Sequence, residues 1–170
     1  TGPFFFTMLQ FSAQTQPSFR FVYRTLPLLL LIVLSVPSAV AQDDAMLRAQ
    51  QLAERIATII ETEGIEGARD ALDKSERTFR DGELYAWVLD TYGVVVLHPD
   101  PVMIGLDLIM LRDLTARVFI AEILLHTHTE NRFWDEYIGV NPDTSKVTVK
   151  RQWVIKVGDH IVGAGAWVDP

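Results

Sequence analysis

The chain has 170 residues, no cysteine, and 15 basic against 22 acidic residues, a formal net charge of −7. That length suits one domain with a short extra segment. The missing cysteine excludes disulfide frameworks, thiolate metal sites and thiol nucleophiles, and the acidic balance argues against a nucleic-acid or anionic-lipid surface.

The apolar residues are unevenly spread, and much of their excess lies in Leu26–Val36. This run has the layout of a secretory signal. Arg20 and Arg24 supply a positive flank. The run is shorter than the roughly 20 residues of a spanning helix. Pro37 and Ser38 break it, and Ala39-Val40-Ala41 offers the small residues that a signal peptidase reads. Cleavage is expected before Gln42, so Thr1–Ala41 is set apart as an N-terminal extension and signal peptide. The alternative keeps Leu26–Val40 in the membrane as an anchor. Loss of Thr1–Ala41 removes two arginines and no acid, taking the net charge from −7 to −9.

Gln42–Gly64 reads as one long helix. Asp43 and Asp44 favour its N-terminus, and Met46, Leu52, Ile56, Ile59 and Ile60 form a stripe on one face. Gly64 is a stop signal. A second, shorter helix fits Ile65–Lys74, and Phe79 is expected to plug the core. From Glu83 the period changes. Glu83–Asp90 is rich in aromatic and branched residues and reads as a strand; Thr91-Tyr92-Gly93 is a turn and Val94–Leu97 the next strand. Pro99 and Pro101 forbid ladder pairing, which makes His98–Gly105 a loop. Leu106–Arg112 is read as a helical turn and Arg117–Thr127 as a helix. Phe133–Val140, Lys146–Val157 and His160–Trp167 follow as strands, separated by the turn clusters Asn141–Ser145 and Gly158-Asp159. Tight turns between successive strands imply an antiparallel sheet in an α+β fold.

Side chains alternate along a strand, so Tyr85, Trp87 and Leu89 share one face. Large amphipathic rings there suit a small-ligand pocket or ordinary core. His98 ends its strand against Pro99, at a pocket mouth or in a structural hydrogen bond. Lys150 lies mid-strand, either on a solvated face or aimed at an anion. Lys150 and Trp153 have opposite parity. Both face one pocket only through a bulge; otherwise Lys150 pairs with Gln152. Met103 and Ile104 suit the loop side of the pocket or, more simply, core packing. His126-Thr127-His128 has only Glu130 as an evident further ligand, short of what zinc needs, and reads as a helix C-terminus. There is no Gly-rich phosphate loop, serine elbow or triad context, and Asp107 and Asp113 read as solvated or capping carboxylates. These patterns predict neither an enzyme nor a cofactor.

The order of these pieces resembles the single Cache domain of type 2, a PAS-like extracytoplasmic sensor module. Tyr85–Gly105 matches its hairpin and His-Pro loop. Asp113-Leu-Thr-Ala116 stands where the family has D-x-x-G. Trp134–Tyr137 with Asn141-Pro142 corresponds to its "GW–Y–NP" segment, with Phe133 in place of the glycine. Lys150 and Trp153 represent its "K–Y" strand, and Gly163-Ala-Gly-Ala-Trp167 its closing "GaGiY". The resemblance implies a five-stranded antiparallel sheet with a long N-terminal helix and short helices on one face. It implies a small organic ligand, often a carboxylate, contacted by Tyr85, Trp87, His98, Met103, Trp134, Tyr137 and Lys150. It also implies a standalone periplasmic or secreted member that feeds signal transduction or chemotaxis through a membrane receptor or sensor kinase. A ligand-free interaction domain is the other reading, because Trp153 and Trp167 replace tyrosines and fill space.

Overall fold

The computed structural model of the chain describes residues 38–168, which fall within the unit Ser35–Pro170. The apolar run Leu26–Val36 lies outside the described residues. The first element, α1 (Ser38–Lys74), starts four residues before the expected Gln42, in keeping with the helix propensity of Ala39 and Ala41. Gly64 sits inside it with φ 74, a left-handed conformation that glycine adopts without a Cβ clash. The expected stop is therefore a kink between two helices. The buried stripe of α1 is rich in alanine (Ala49, Ala53, Ala57 and Ala68 beside Leu52 and Ile56), which lets the helix lie close to the sheet.

Six strands follow: β1 (Arg80–Asp81), β2 (Leu84–Asp90), β3 (Val95–Leu97), β4 (Arg132–Val140), β5 (Val147–Val157) and β6 (His160–Val168). All pair antiparallel, in the order β1-β2-β6-β5-β4, with β3 on β2. The sixth strand, β1, is too short to show a period in the sequence. It folds back on β2 through Gly82, whose φ is 62. The helix α2 (Phe119–His126) is shorter than Arg117–Thr127 at both ends.

The helical turn expected at Leu106–Arg112 shrinks to a single hydrogen-bonded turn, in which Leu111 N–H donates to the Leu108 carbonyl at 2.9 Å. Before it Val94 bridges Asp107, and the Leu106 carbonyl and Gly105 N–H both bond Val95 at 2.9 and 2.8 Å. The loop thus lies along β3 like a further arm. It contains one turn of 3-10 helix, Pro101–Met103, started by the Asp100 carboxylate, which accepts from Val102 N–H at 3.0 Å.

The sheet has two covered faces. Leu84, Ala86 and Val88 of β2, with Val162, Ala164 and Ala166 of β6, pack on α1. The Trp153 indole joins that side and donates to Glu54 of α1 at 3.0 Å. On the opposite face Leu89, Val154 and Ile161 pack on Phe119, Ile120 and Ile123 of α2. Phe79 is wholly buried against α1.

Candidate functional site

The face away from α1 holds a cavity of about 110 Å³. A single water needs roughly 10–15 Å³, so the space admits a small organic molecule. Alternation along β2 brings Tyr85, Trp87 and Leu89 to it. The pairing of β4 with β5 adds Tyr137, Lys150 and Gln152. Met103, Leu108 and Leu111 of the long loop cover one side, and Phe119 and Ile120 of α2 another. Gly163 makes room for the wall: a Cβ there would stand 2.1 Å from the Trp87 ring.

Lys150 is 2 % exposed. It pairs in register with Tyr137 on one side and Trp167 on the other. Its Nζ lies 4.0 Å from the centroid of the Tyr85 ring and 5.3 Å from that of Trp167. Among the described residues no carboxylate lies within ion-pair distance of it. Aromatic faces return about 0.5–2 kcal/mol to a cation. Burial without a counter-ion costs several. Since no buried side-chain polar atom in the described residues lacks a partner, the ammonium reaches the cavity itself. An anion there would supply the missing charge.

The other polar groups are set in definite states. His98 Nδ1 accepts from Asp100 N–H at 2.9 Å. Burial, with the charges of Arg80 and Lys150, holds the imidazole below its ordinary pKa against the opposing effect of Asp100. Nδ1 also lies 3.2 Å from the Asp100 carbonyl, but the shorter contact from the N–H takes its lone pair, so the neutral ring carries its hydrogen on Nε2 and meets Tyr85 edge-on, centroids 5.1 Å apart. Burial pushes the Tyr137 phenol well up, keeping it a hydroxyl. Its ring stacks on Phe119 at 4.3 Å. Asp113 ties the covering loop to the sheet. Its Oδ1 accepts from Thr115 N–H, the Thr115 hydroxyl and Arg117 N–H, and its Oδ2 from Ile138 N–H of β4 at 3.3 Å. Hydrogen bonds, first that of the Thr115 hydroxyl, hold its carboxyl below the usual range.

No family model and no curated protein matches the chain. Solved structures do. A periplasmic sensor domain of a chemotaxis protein is 24 % identical, covers 79 % of this chain and 100 % of its own, and superposes with a TM-score of 0.58. A Cache chemosensory domain described for carboxylic acid recognition is 19 % identical, with the same coverages and a TM-score of 0.59. A methyl-accepting chemotaxis protein from Vibrio parahaemolyticus is 15 % identical, covers 77 % of this chain and 91 % of its own, and gives 0.58. The fold is that of Cache sensor domains.

Within this Cache fold, the structure brings Tyr85, Trp87, His98, Met103, Tyr137 and Lys150 around one cavity. Trp134 is not among them, which corrects the expectation. The β4–β5 register runs unbroken from Arg132 to Val140. Trp134 is three residues from Tyr137 and so faces the other way, tilted against Trp153 at 5.1 Å and 39 % exposed. The same unbroken register decides the parity question on β5: Lys150 goes with Gln152, and Trp153 faces α1. Ile104 is 41 % exposed and outside the wall. Sequence reasoning missed Phe119, Ile120, Leu108 and Leu111. No local pattern says which helix face or loop residue closes over a distant strand. Gln152 was within reach through its parity with Lys150. The two histidines near the end of α2 serve no joint purpose in the wall; His126 stacks on Phe133, centroids 3.9 Å apart. Among the described residues no group of three His, Cys, Asp or Glu is placed to hold a metal ion, and no helix is long and apolar enough to cross a membrane.

Proposed function

We propose that this chain is an extracytoplasmic sensor domain that binds a small carboxylate in the cavity between its sheet and the loop of residues 98–112. The observation that carries the reading is Lys150: a cation buried to 2 % exposure, flanked by aromatic rings, with no ion-pair partner among the described residues. Tyr137 and the His98 Nε2–H add neutral donors. Tyr85, Trp87 and Met103 supply apolar contact. The solved Cache domain described for carboxylic acid recognition supports a carboxylate over other anions. The open cavity favours this reading over a pocket filled by its own side chains, since Trp153 lies on the other face and Trp167 does not line the space.

The apolar run Leu26–Val36 with its basic flank supports export, with the domain from Gln42 onward acting outside the cytoplasm. Signalling follows if the bound form meets a membrane receptor or sensor kinase differently from the free form. Calorimetry of the protein against a panel of short organic acids tests the site. Binding should be lost in Lys150→Ala and weakened in His98→Ala. A silent panel, or an unchanged Lys150→Ala, sinks the reading. Mass spectrometry of the exported chain tests its fate: an N-terminus at Gln42 marks cleavage, and an intact Leu26–Val36 marks an anchor.

A further inference from the structure

The cavity wall contains a second buried polar side chain, and its orientation is set from outside the cavity. Gln152 stands two residues from Lys150 on the same face of β5 and is 1 % exposed. Its Nε2 donates to Asp135 Oδ2 at 3.0 Å. The other oxygen of Asp135 accepts from the Arg117 guanidinium at 2.7 Å. Arg117 is held in turn by Glu122 of α2 and the carbonyl of Glu136. A carboxylate paired with a guanidinium accepts hydrogen bonds and gives none. The amide of Gln152 therefore cannot turn over, because its oxygen would then face Asp135. Its Oε1 has no donor among the described residues, and no buried side-chain polar atom there is unpartnered. This oxygen opens onto the cavity.

The wall thus sets a group that only donates beside a group that only accepts. The Cα atoms of two residues on one strand face lie about 6.7 Å apart, and both side chains line the cavity, so one small ligand meets both, its carboxylate on the first and an adjacent hydroxyl on the second. A plain carboxylate satisfies Lys150 but strands the Gln152 oxygen, and an unmet buried acceptor is costly. A second carboxylate would face that oxygen with no donor. An α-ammonium would donate to it, but beside the Lys150 cation and with Asp135 already committed to Arg117.

We infer that the ligand is a short 2-hydroxy acid, its carboxylate on Lys150 and its hydroxyl donating to Gln152 Oε1, with Asp135 and Arg117 as positioning residues. This rests on the anion reading of Lys150. It is tested by calorimetric titration of the full chain with lactate, propionate and pyruvate, which differ at the 2-position by a donor, nothing and an acceptor. Lactate should bind about five- to tenfold tighter than propionate, the equivalent of one hydrogen bond, and pyruvate no tighter than propionate. Gln152→Met, close in volume, should erase the lactate preference while still binding propionate. Asp135→Asn, which no longer dictates which way the amide points, should do the same. Equal affinities in the wild type, or a preference that survives Gln152→Met, overturn the inference and leave the anion site standing. Failure to bind lactate also overturns the inference; the anion reading falls with it only if the wider acid panel is silent too.

Discussion

Replacing Lys150 by methionine should move stability and binding in opposite directions. Methionine keeps the length of the stem and removes the charge. A buried cation without a counter-ion costs several kcal/mol. The rings of Tyr85 and Trp167, at 4.0 and 5.3 Å, return about 0.5–2 kcal/mol of that, and water in the cavity relieves part of the rest. The ligand-free Lys150→Met chain should therefore be more stable than wild type by about 1–3 kcal/mol. For a domain of this size that raises the melting temperature by roughly 3–10 °C. A charge-assisted hydrogen bond contributes about 1.5–3 kcal/mol, so carboxylate affinity should fall at least about tenfold. Ligand at a hundred times the wild-type dissociation constant adds about 2.7 kcal/mol to the wild type and only about 0.3–1.3 kcal/mol to the variant. The two melting curves, followed by circular dichroism, should close or cross as ligand is added. A variant that melts lower than wild type without ligand would show that the aromatic cage holds Lys150 as a structural cation. With ligand binding unchanged as well, the argument from uncompensated charge would be refuted.

Ala116 holds φ 68 in the loop that Asp113 anchors, a conformation that costs a non-glycine residue about 1–2 kcal/mol; Ala116→Gly, after its own entropic cost, should stabilise the chain by about 0.5–1 kcal/mol, seen as a higher urea midpoint at unchanged slope. Gly163→Ala drives a methyl into the Trp87 ring and should cost about 1–3 kcal/mol of overpacking while displacing the indole; unaltered binding in a folded Gly163→Ala chain would remove Trp87 from the wall. His98 has a folded pKa below its ordinary 6.5. Between the two values the unfolded chain binds the proton that the fold refuses. The contribution of His98 is thus complete above about pH 6.5 and is lost as pH falls through that window. Urea unfolding from pH 8 to 5 should show this slope in the wild type and a shallower one in His98→Gln; identical slopes would place the acid sensitivity elsewhere.

Period-2 alternation makes the strand side of the cavity legible in the sequence. Tyr85, Trp87 and Leu89 had to share a face, and the unbroken β5 pairing then put Lys150 with Gln152. What the sequence left hidden are contacts between distant segments. The short strand β1 and the Val94–Asp107 bridge have no local signature, because each depends on a neighbour supplied by the rest of the fold. The same holds for Phe119 and Ile120, which close the cavity only because α2 lies across β2 and β5.

Trp134 separates the two kinds of inference used to find the site. Motif resemblance proposed it for the pocket; parity, counted from Tyr137 along the same strand, forbids it. The two agree at Tyr85, Trp87 and Lys150, where the motif residues also share a face, and they part at Trp134 because only a bulge could reconcile it with Tyr137. The β4–β5 ladder has none. Resemblance thus locates the segment that builds a wall, and backbone geometry decides which of its side chains belong to it. By that rule Gln152, which no motif marked, has a stronger geometric claim on the ligand than Trp134, which one did.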